Sequence, residues 1–336
     1  MFPEPGAPQP TRPLAVRIFM GPHGLRAGWR FAAFALIFIA LLIAGSALLN
    51  GPLHRFIPAP AAGAVREGLG LVCVLAATWI MSRVDSRPFS SFGLDGADGP
   101  RNFVSGAAAG IAVLSLLMGA LVLARAYRLT APTLHGGDVL FWGSLMAVTF
   151  LFVGLFEELL TRGYPLFALA QGIGFWPAAV LLSILFGAGH LGNRGEEILG
   201  VCNAMLAGLV FSYSLRWSGS LWWAIGCHMT WDWGESFFYG VADSGSVAPH
   251  HFLAGRPAGA SWVSGGSVGP EGSALCIPAL LLLIAMVRLS TRGRAAPGLD
   301  RLRKPLIFSP SSLPSIPSTP PVLPPAERES DSDHPA

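Results

Sequence analysis

The sequence predicts an all-α, polytopic membrane bundle of about eight transmembrane helices, on three observations. Of the 336 residues, 52% are hydrophobic and only 12% are charged, against roughly 25% charged in a soluble domain. Apolar stretches close to the ~20 residues that a spanning helix needs recur along the chain. Basic residues collect between and beyond those stretches, in the pattern that sets membrane topology. This distribution excludes a soluble enzyme. The net charge of +3 gives no reason to expect a nucleic-acid partner.

The candidate spans are 31–49, 68–82, 103–124, 139–160, 176–192, 198–216, 219–240 and 273–290. Residues 1–30 form a basic, Pro-rich N-terminal segment, and the apolar run after Arg30 is too long for a signal-peptide core. The region 31–138 holds the first membrane helices. Residues 139–240 carry the polar chemistry described below, 241–272 read as an external loop rich in Gly, Ser and Ala, and 273–290 make the last span. The tail 291–336 turns Pro- and Ser-rich from about Pro305, cannot bury a core, and is expected to be disordered. Between residues 139 and 190 the apolarity is nearly continuous, with Pro165, Gly172 and Gly174 as the breakpoints; 166–170 is either a continuation of the helix or a re-entrant piece. There is no internal repeat.

Three basic clusters vote on orientation: Arg12, Arg17, Arg26 and Arg30; Arg83, Arg87 and Arg101; and Arg288, Arg292, Arg294, Arg301, Arg303 and Lys304. An even span count puts all three on the cytoplasmic side, so the expectation is a multi-pass protein of the cell (inner) membrane with both termini cytoplasmic. Every basic residue but Lys304 is arginine, and Gly numbers 41, a composition associated with GC-rich bacterial genomes. Cys73, Cys202, Cys227 and Cys276 form no C-x-x-C pair and read as small buried hydrophobes rather than disulfides or metal ligands.

Ionisable groups within spans are costly, by ~2.5–3.5 kcal/mol each on insertion scales, so those present carry the information. Three groups stand out: Phe156-Glu157-Glu158-Leu159-Leu160-Thr161-Arg162; Phe186-Gly187-Ala188-Gly189-His190; and His228-Met229-Thr230-Trp231-Asp232. On a helix Glu158 and Arg162 are four apart and can pair, while the adjacent Glu157 must point elsewhere and take another role. His228 and Asp232 share a face at the same spacing, with Glu235 on roughly the same stripe. A carboxylate and an imidazole can hold and deprotonate a water, with a second imidazole donating to a developing oxyanion. Alternatively, Glu157, His190 and His228 offer three ligands to a divalent metal such as zinc, with a fourth position open. Each group also has a bland reading: a lone membrane His as an interhelical hydrogen bonder, a Glu–Arg pair as structure, and Trp222, Trp223, Trp231 and Trp233 as core or interfacial belt. Three polar clusters on successive apolar segments weigh against packing alone. The chain has no H-E-x-x-H, no G-x-S-G and no G-x-G-D, which disfavours zincin-like, rhomboid-like and presenilin-like chemistry.

The pattern E-E-x-x-x-R (Glu157, Glu158, Arg162), F-x-x-x-H (Phe186 to His190) and H-x-x-x-D (His228 to Asp232) resembles the CPBP family. That family includes the type II CAAX prenyl endopeptidases and the bacteriocin-immunity-like (Abi) relatives. Asn203-Ala204-Met205-Leu206-Ala207-Gly208 and Gly219-Ser220-Leu221-Trp222 extend the likeness, which covers roughly residues 140–239. The resemblance implies that Glu157 activates water together with His190, that His228 and residue 232 form the oxyanion site, and that Glu158 and Arg162 give support. It leaves open a metalloendopeptidase or a metal-free glutamate mechanism. Asp232 stands where prenyl-protein processing members have Asn, and bacteria generally lack prenylated CAAX proteins, so that substrate is not carried over. The expected function is an intramembrane endopeptidase acting on a membrane-associated protein or peptide within the lipid bilayer. The alternatives are a non-enzymatic immunity or scaffold protein and a polar-lined transporter. Glu157 and His190 reach one depth only if the fourth helix runs on toward Ala170.

Overall fold

The computed structural model describes residues 18–21, 24–51, 53–96 and 98–292. The basic residues Arg12, Arg17, Arg294, Arg301, Arg303 and Lys304 and the Pro-rich tail lie outside the described residues. The architecture is a helical membrane bundle. Its apolar helices are α1 (Ala27–Asn50), α2 (Ala62–Val84), α3 (Gly99–Leu123), α4 (Gly137–Arg162), α5 (Tyr164–Ile173), α6 (Phe175–Gly189), α7 (Ile198–Ser218), α8 (Trp222–Trp233) and α9 (Cys276–Ser290).

Among the described residues six helical stretches are long and apolar enough to cross a membrane, with α4 and α5 together forming one of them. The two remaining expected spans are shorter than anticipated. The seventh is twelve residues of α8 followed by a π-helical segment, Gly234–Tyr239, and the eighth is the fifteen residues of α9. Large apolar side chains such as Leu36, Ile43, Val104, Leu116 and Leu140 face outward, as lipid contact requires.

The helices pack in two groups. Phe34 and Phe38 of α1, Val74 and Ala77 of α2, Leu159 of α4, Tyr164 to Ala170 of α5 and Ala178 of α6 make one apolar cluster. Val113, Leu114 and Leu117 of α3, Phe211 of α7, Trp223 and Cys227 of α8 and Leu283 of α9 make the other. The α3–α8 seam brings two helices together backbone to backbone. Gly106 and Gly110, one helical turn apart, lie against the Trp223 and Cys227 carbonyls, and Gly226 lies against the Phe103 carbonyl; a Cβ at any of the three would overlap backbone. Small residues at this spacing let membrane helices meet backbone to backbone. Thr230 Oγ1 adds a bond across the seam to the Ala107 carbonyl, 2.8 Å.

Two features correct the sequence reading. Arg30, counted there among topology-setting surface charges, is buried: its guanidinium donates to Asp85 (3.0 Å) and Gln171 (2.6 Å), and Tyr164 Oη also donates to Asp85 (3.0 Å). This network joins the start of α1, the end of α2 and the end of α5. At the same end of the bundle the Leu221 N–H bonds the Gly93 carbonyl, Asn102 bonds Ser220, and Arg288 stacks on Trp217. The described members of all three basic clusters therefore gather at one end. The second correction is the region 241–272, which is not a plain external loop. Its strand β2 (Gly255–Pro257) pairs antiparallel with β1 (Tyr127–Leu129), and it folds back on the bundle at the opposite end. Among the described residues the four cysteines are free thiols, three of them buried.

Candidate active site

The geometry of the site begins with a break in the helix. Pro165 has no N–H to continue α4, and Gly163 lies so close to the Leu159 carbonyl that a Cβ would overlap it; the helix stops at Arg162 and restarts at Tyr164. The ten residues of α5 carry the chain on by about 15 Å, and after the turn at Gly174 (φ +87°) the fifteen of α6 lead about 22 Å back. His190, the C-cap of α6, thereby returns close to the level of Glu157, six residues before Gly163. The fourth helix does run on, but through a break rather than as one rod.

Glu157, His190, His228 and Asp232 all line one cavity of about 780 Å³. Glu157 faces it, 29% exposed, while the adjacent Glu158 is fully buried. Glu158 Oε1 accepts from Arg162 Nη1 at 2.7 Å and from His228 Nδ1 at 3.1 Å. Arg162 lies over the Phe186 ring at 4.5 Å and the Phe211 ring at 5.6 Å, and Gly208 leaves room for its guanidinium. The imidazole of His228 is stacked on Phe211, with centroids 5.4 Å apart. Fixed in this way, His228 turns Nε2 to the cavity, 3.6 Å from Glu157 Oε2 and 3.5 Å from Asp232 Oδ2.

The pairing expected of Glu158 and Arg162 is present, and Glu158 has a second task that the spacing did not reveal: it orients His228. His190 sits apart. Its Nδ1 is 2.8 Å from the Phe186 carbonyl, which can only accept, so Nδ1 carries a proton, and in the neutral ring Nε2 is left with the lone pair. The hydrogen-bond partner of His190 is that carbonyl.

Residues 139–234 match the family model for Type II CAAX prenyl endopeptidase Rce1-like proteins. The resemblance read from the three motifs is borne out. The matched CAAX-protease-like segment is under a third of the chain, and no curated protein and no solved structure matches the chain.

Whether this site suits zinc depends on distances. A tetrahedral zinc would need its three protein ligands within about 3.5 Å of one another. Glu157 and His228 approach this, but His190 does not join them. Among the described residues, the group that brings one ligand atom from each of three side chains within 4.8 Å of one another is Asp232, Asp243 and Glu271. Glu157, His190 and His228 as arranged do not fit the ion.

Sequence reasoning missed several acids. Glu67 of α2 and Glu196 from the α6–α7 connection line the same cavity, as do Asp243 and Glu271, the two acids of the region 241–272, one near each end. Burial, then the nearby Glu271 charge, pushes the Asp243 carboxyl well above its usual range, and burial raises that of Glu196. The signal was available, since acids are scarce in this chain and that region holds just these two.

Proposed function

We propose that the protein is an intramembrane endopeptidase of the CAAX-protease-like type, which hydrolyses a peptide bond in a membrane-associated substrate with water activated by Glu157. The observation that carries this reading is the cavity-facing Glu157 carboxylate opposite His228 Nε2, with the other nitrogen of that ring held by the buried Glu158–Arg162 pair.

In this mechanism Glu157 takes the proton of a water in the cavity, and the lone pair of His190 Nε2, on the same cavity wall, helps to hold that water. The hydroxide adds to the scissile carbonyl carbon. His228, carrying protons on both nitrogens, donates one to Glu158 and offers the other to the forming oxyanion. Asp232, one helical turn on, holds the Nε2 side of the ring. Glu157 then returns its proton to the departing amine, so no net proton is gained or lost. A chemistry run without a metal accords with the separation of His190 from the other two residues.

The test is fragment production from membrane-anchored reporter peptides by the full chain in lipid nanodiscs, followed by mass spectrometry. Glu157→Gln keeps size and most hydrogen bonding but accepts no proton, and is expected to lower the rate about 10²–10⁴-fold at unchanged membrane level. A scaffold or immunity role would leave this variant fully functional. A transporter using Glu157 as a proton relay would lose function yet never release a fragment.

A further inference from the structure

We propose that the protein carries a second ligand site, a hard divalent cation site of the Ca²⁺ or Mg²⁺ class, built from Asp232, Asp243 and Glu271 with Glu235 behind them. Carboxylate oxygens from the first three residues all lie within 4.8 Å of one another. Oxygen ligands sit 2.0–2.6 Å from such ions, so oxygens on different sides of one ion fall within this spacing. No His or Cys belongs to the group, which selects a hard cation over zinc or copper.

Three clustered acids are a weak argument on their own. The fourth residue supplies the independent one. Glu235 is fully buried, neither of its carboxylate oxygens has a hydrogen-bond partner, and the charges that weigh on it are Glu271, Asp243 and Asp232 in that order. A buried carboxylate with no donor within bonding distance is expensive. The charges acting on it are all acidic, and the Trp231 side chain is the neighbour that favours its charged form. The positive group that acts on Asp232 and Asp243 is His228, which Glu157 and Glu158 already engage. A cation at the centre of the group answers both the repulsion and the missing partners.

The supporting bonds already aim the ligands. Ser236 Oγ donates to Asp243 Oδ2 at 3.1 Å, and Ser244 Oγ donates to Glu271 Oε2 at 2.9 Å, an outer shell of the kind that fixes metal-ligand carboxylates. Asn203 Nδ2 bonds the Glu271 carbonyl at 2.7 Å and the Ser273 carbonyl at 2.9 Å, tying that end of the region to α7. The π-helical segment Gly234–Tyr239 begins two residues after Asp232 and holds Glu235 buried, and such wide turns recur at functional positions. A bound ion would fasten the region 241–272 to α8 and hold Asp232 beside His228. Because binding is read without turnover, the inference stands or falls apart from the peptidase reading.

The test uses the full chain, purified in detergent and freed of metal with a chelator. Calorimetric titration with CaCl₂ and separately with MgCl₂ is expected to show one saturable site per chain for at least one ion. That ion at saturation is expected to raise the unfolding temperature, followed by tryptophan fluorescence, by about 5 °C. The double variant Asp243→Asn, Glu271→Gln is expected to lose both responses while unfolding, in metal-free buffer, no lower than the parent, since it removes like charges. The exposed Asp138→Asn is expected to keep both. No saturable binding of either ion would overturn the proposal, as would an undiminished shift in the double variant. So would a double variant that fails to accumulate while Asp243→Asn alone keeps the full response. Stabilisation by an arginine-rich peptide but by neither ion would show that the acids receive a substrate side chain instead.

Discussion

Replacing Arg162 by Ala separates support from chemistry at this site. Arg162 and Glu158 are 1% and 0% exposed and 2.7 Å apart. Removing one partner of such a buried pair costs about 3–5 kcal/mol, because the other charge is left uncompensated. Loss of the guanidinium from the faces of Phe186 and Phe211 adds about 1–2 kcal/mol, and the bond that His228 still gives Glu158 returns about as much. The net loss is therefore about 4 kcal/mol, or a fall on the order of 10 °C in unfolding temperature for a chain of this size. The assay is thermal unfolding in detergent together with quantification of the protein in membranes, where the variant is expected to accumulate poorly. Changing both partners to apolar residues, Glu158→Leu with Arg162→Met, is expected to recover most of the stability, since a buried pair is often replaceable as a pair. Activity is not expected to return, because His228 Nδ1 has lost its anchor. An Arg162→Ala protein that is abundant, unfolds within a degree or two of the parent and is inactive would refute this reasoning and move Arg162 into the catalytic machinery.

Three further outcomes are expected. Asp232→Asn keeps the shape and gains an amide donor, so fragment production should stay within about tenfold of the parent, whereas Asp232→Leu should abolish it. Gly110→Leu forces a side chain into the Cys227 carbonyl; it should lower stability by at least about 3 kcal/mol and eliminate the folded protein from membranes, while the same change at Gly119, where a Cβ meets nothing within 4 Å, should be tolerated. Asp85→Ala leaves Arg30 buried with Gln171 as its remaining partner and takes the acceptor from Tyr164; a loss of about 3–5 kcal/mol is expected, measurable as a lower unfolding temperature in detergent.

The residues of the candidate site were legible because polarity inside an apolar run is rare and costly, so Glu157, His190, His228 and Asp232, which line one cavity, stood out without any fold. Spacing along one helix was equally readable: Glu158 and Arg162 do pair, and His228 and Asp232 do share a face. What spacing does not carry is contact between helices. It could not say that Glu158 reaches across to His228, or that the Gly163 break and the α5–α6 return bring His190 to the level of Glu157. Arg30 looked like a topology signal because burial is invisible until Asp85 and Gln171 are placed around it. Asp243 and Glu271 were lost in a segment whose Gly- and Ser-rich composition resembles solvent-exposed chain. The glycines Gly106 and Gly110 disappeared in a run already crowded with Ala and Gly, where no single position stands out.

The seam between α3 and α8 bears on what can be separated from what. The helix that presents His228 and Asp232 is twelve residues long before its six-residue π-helical continuation, short for a segment that must cross a bilayer. It is braced over much of its length by α3, and α3 lies outside residues 139–234, the portion that matches the family. The candidate site and its brace therefore belong to different stretches of the sequence. Grafting the matched portion onto another membrane scaffold would transplant Glu157, His190, His228 and Asp232 and leave behind the rail that aligns two of them. Substitutions along Gly106, Ala107 and Gly110 are expected to shift the candidate site as much as changes among its own residues do, though none of the three lines the cavity.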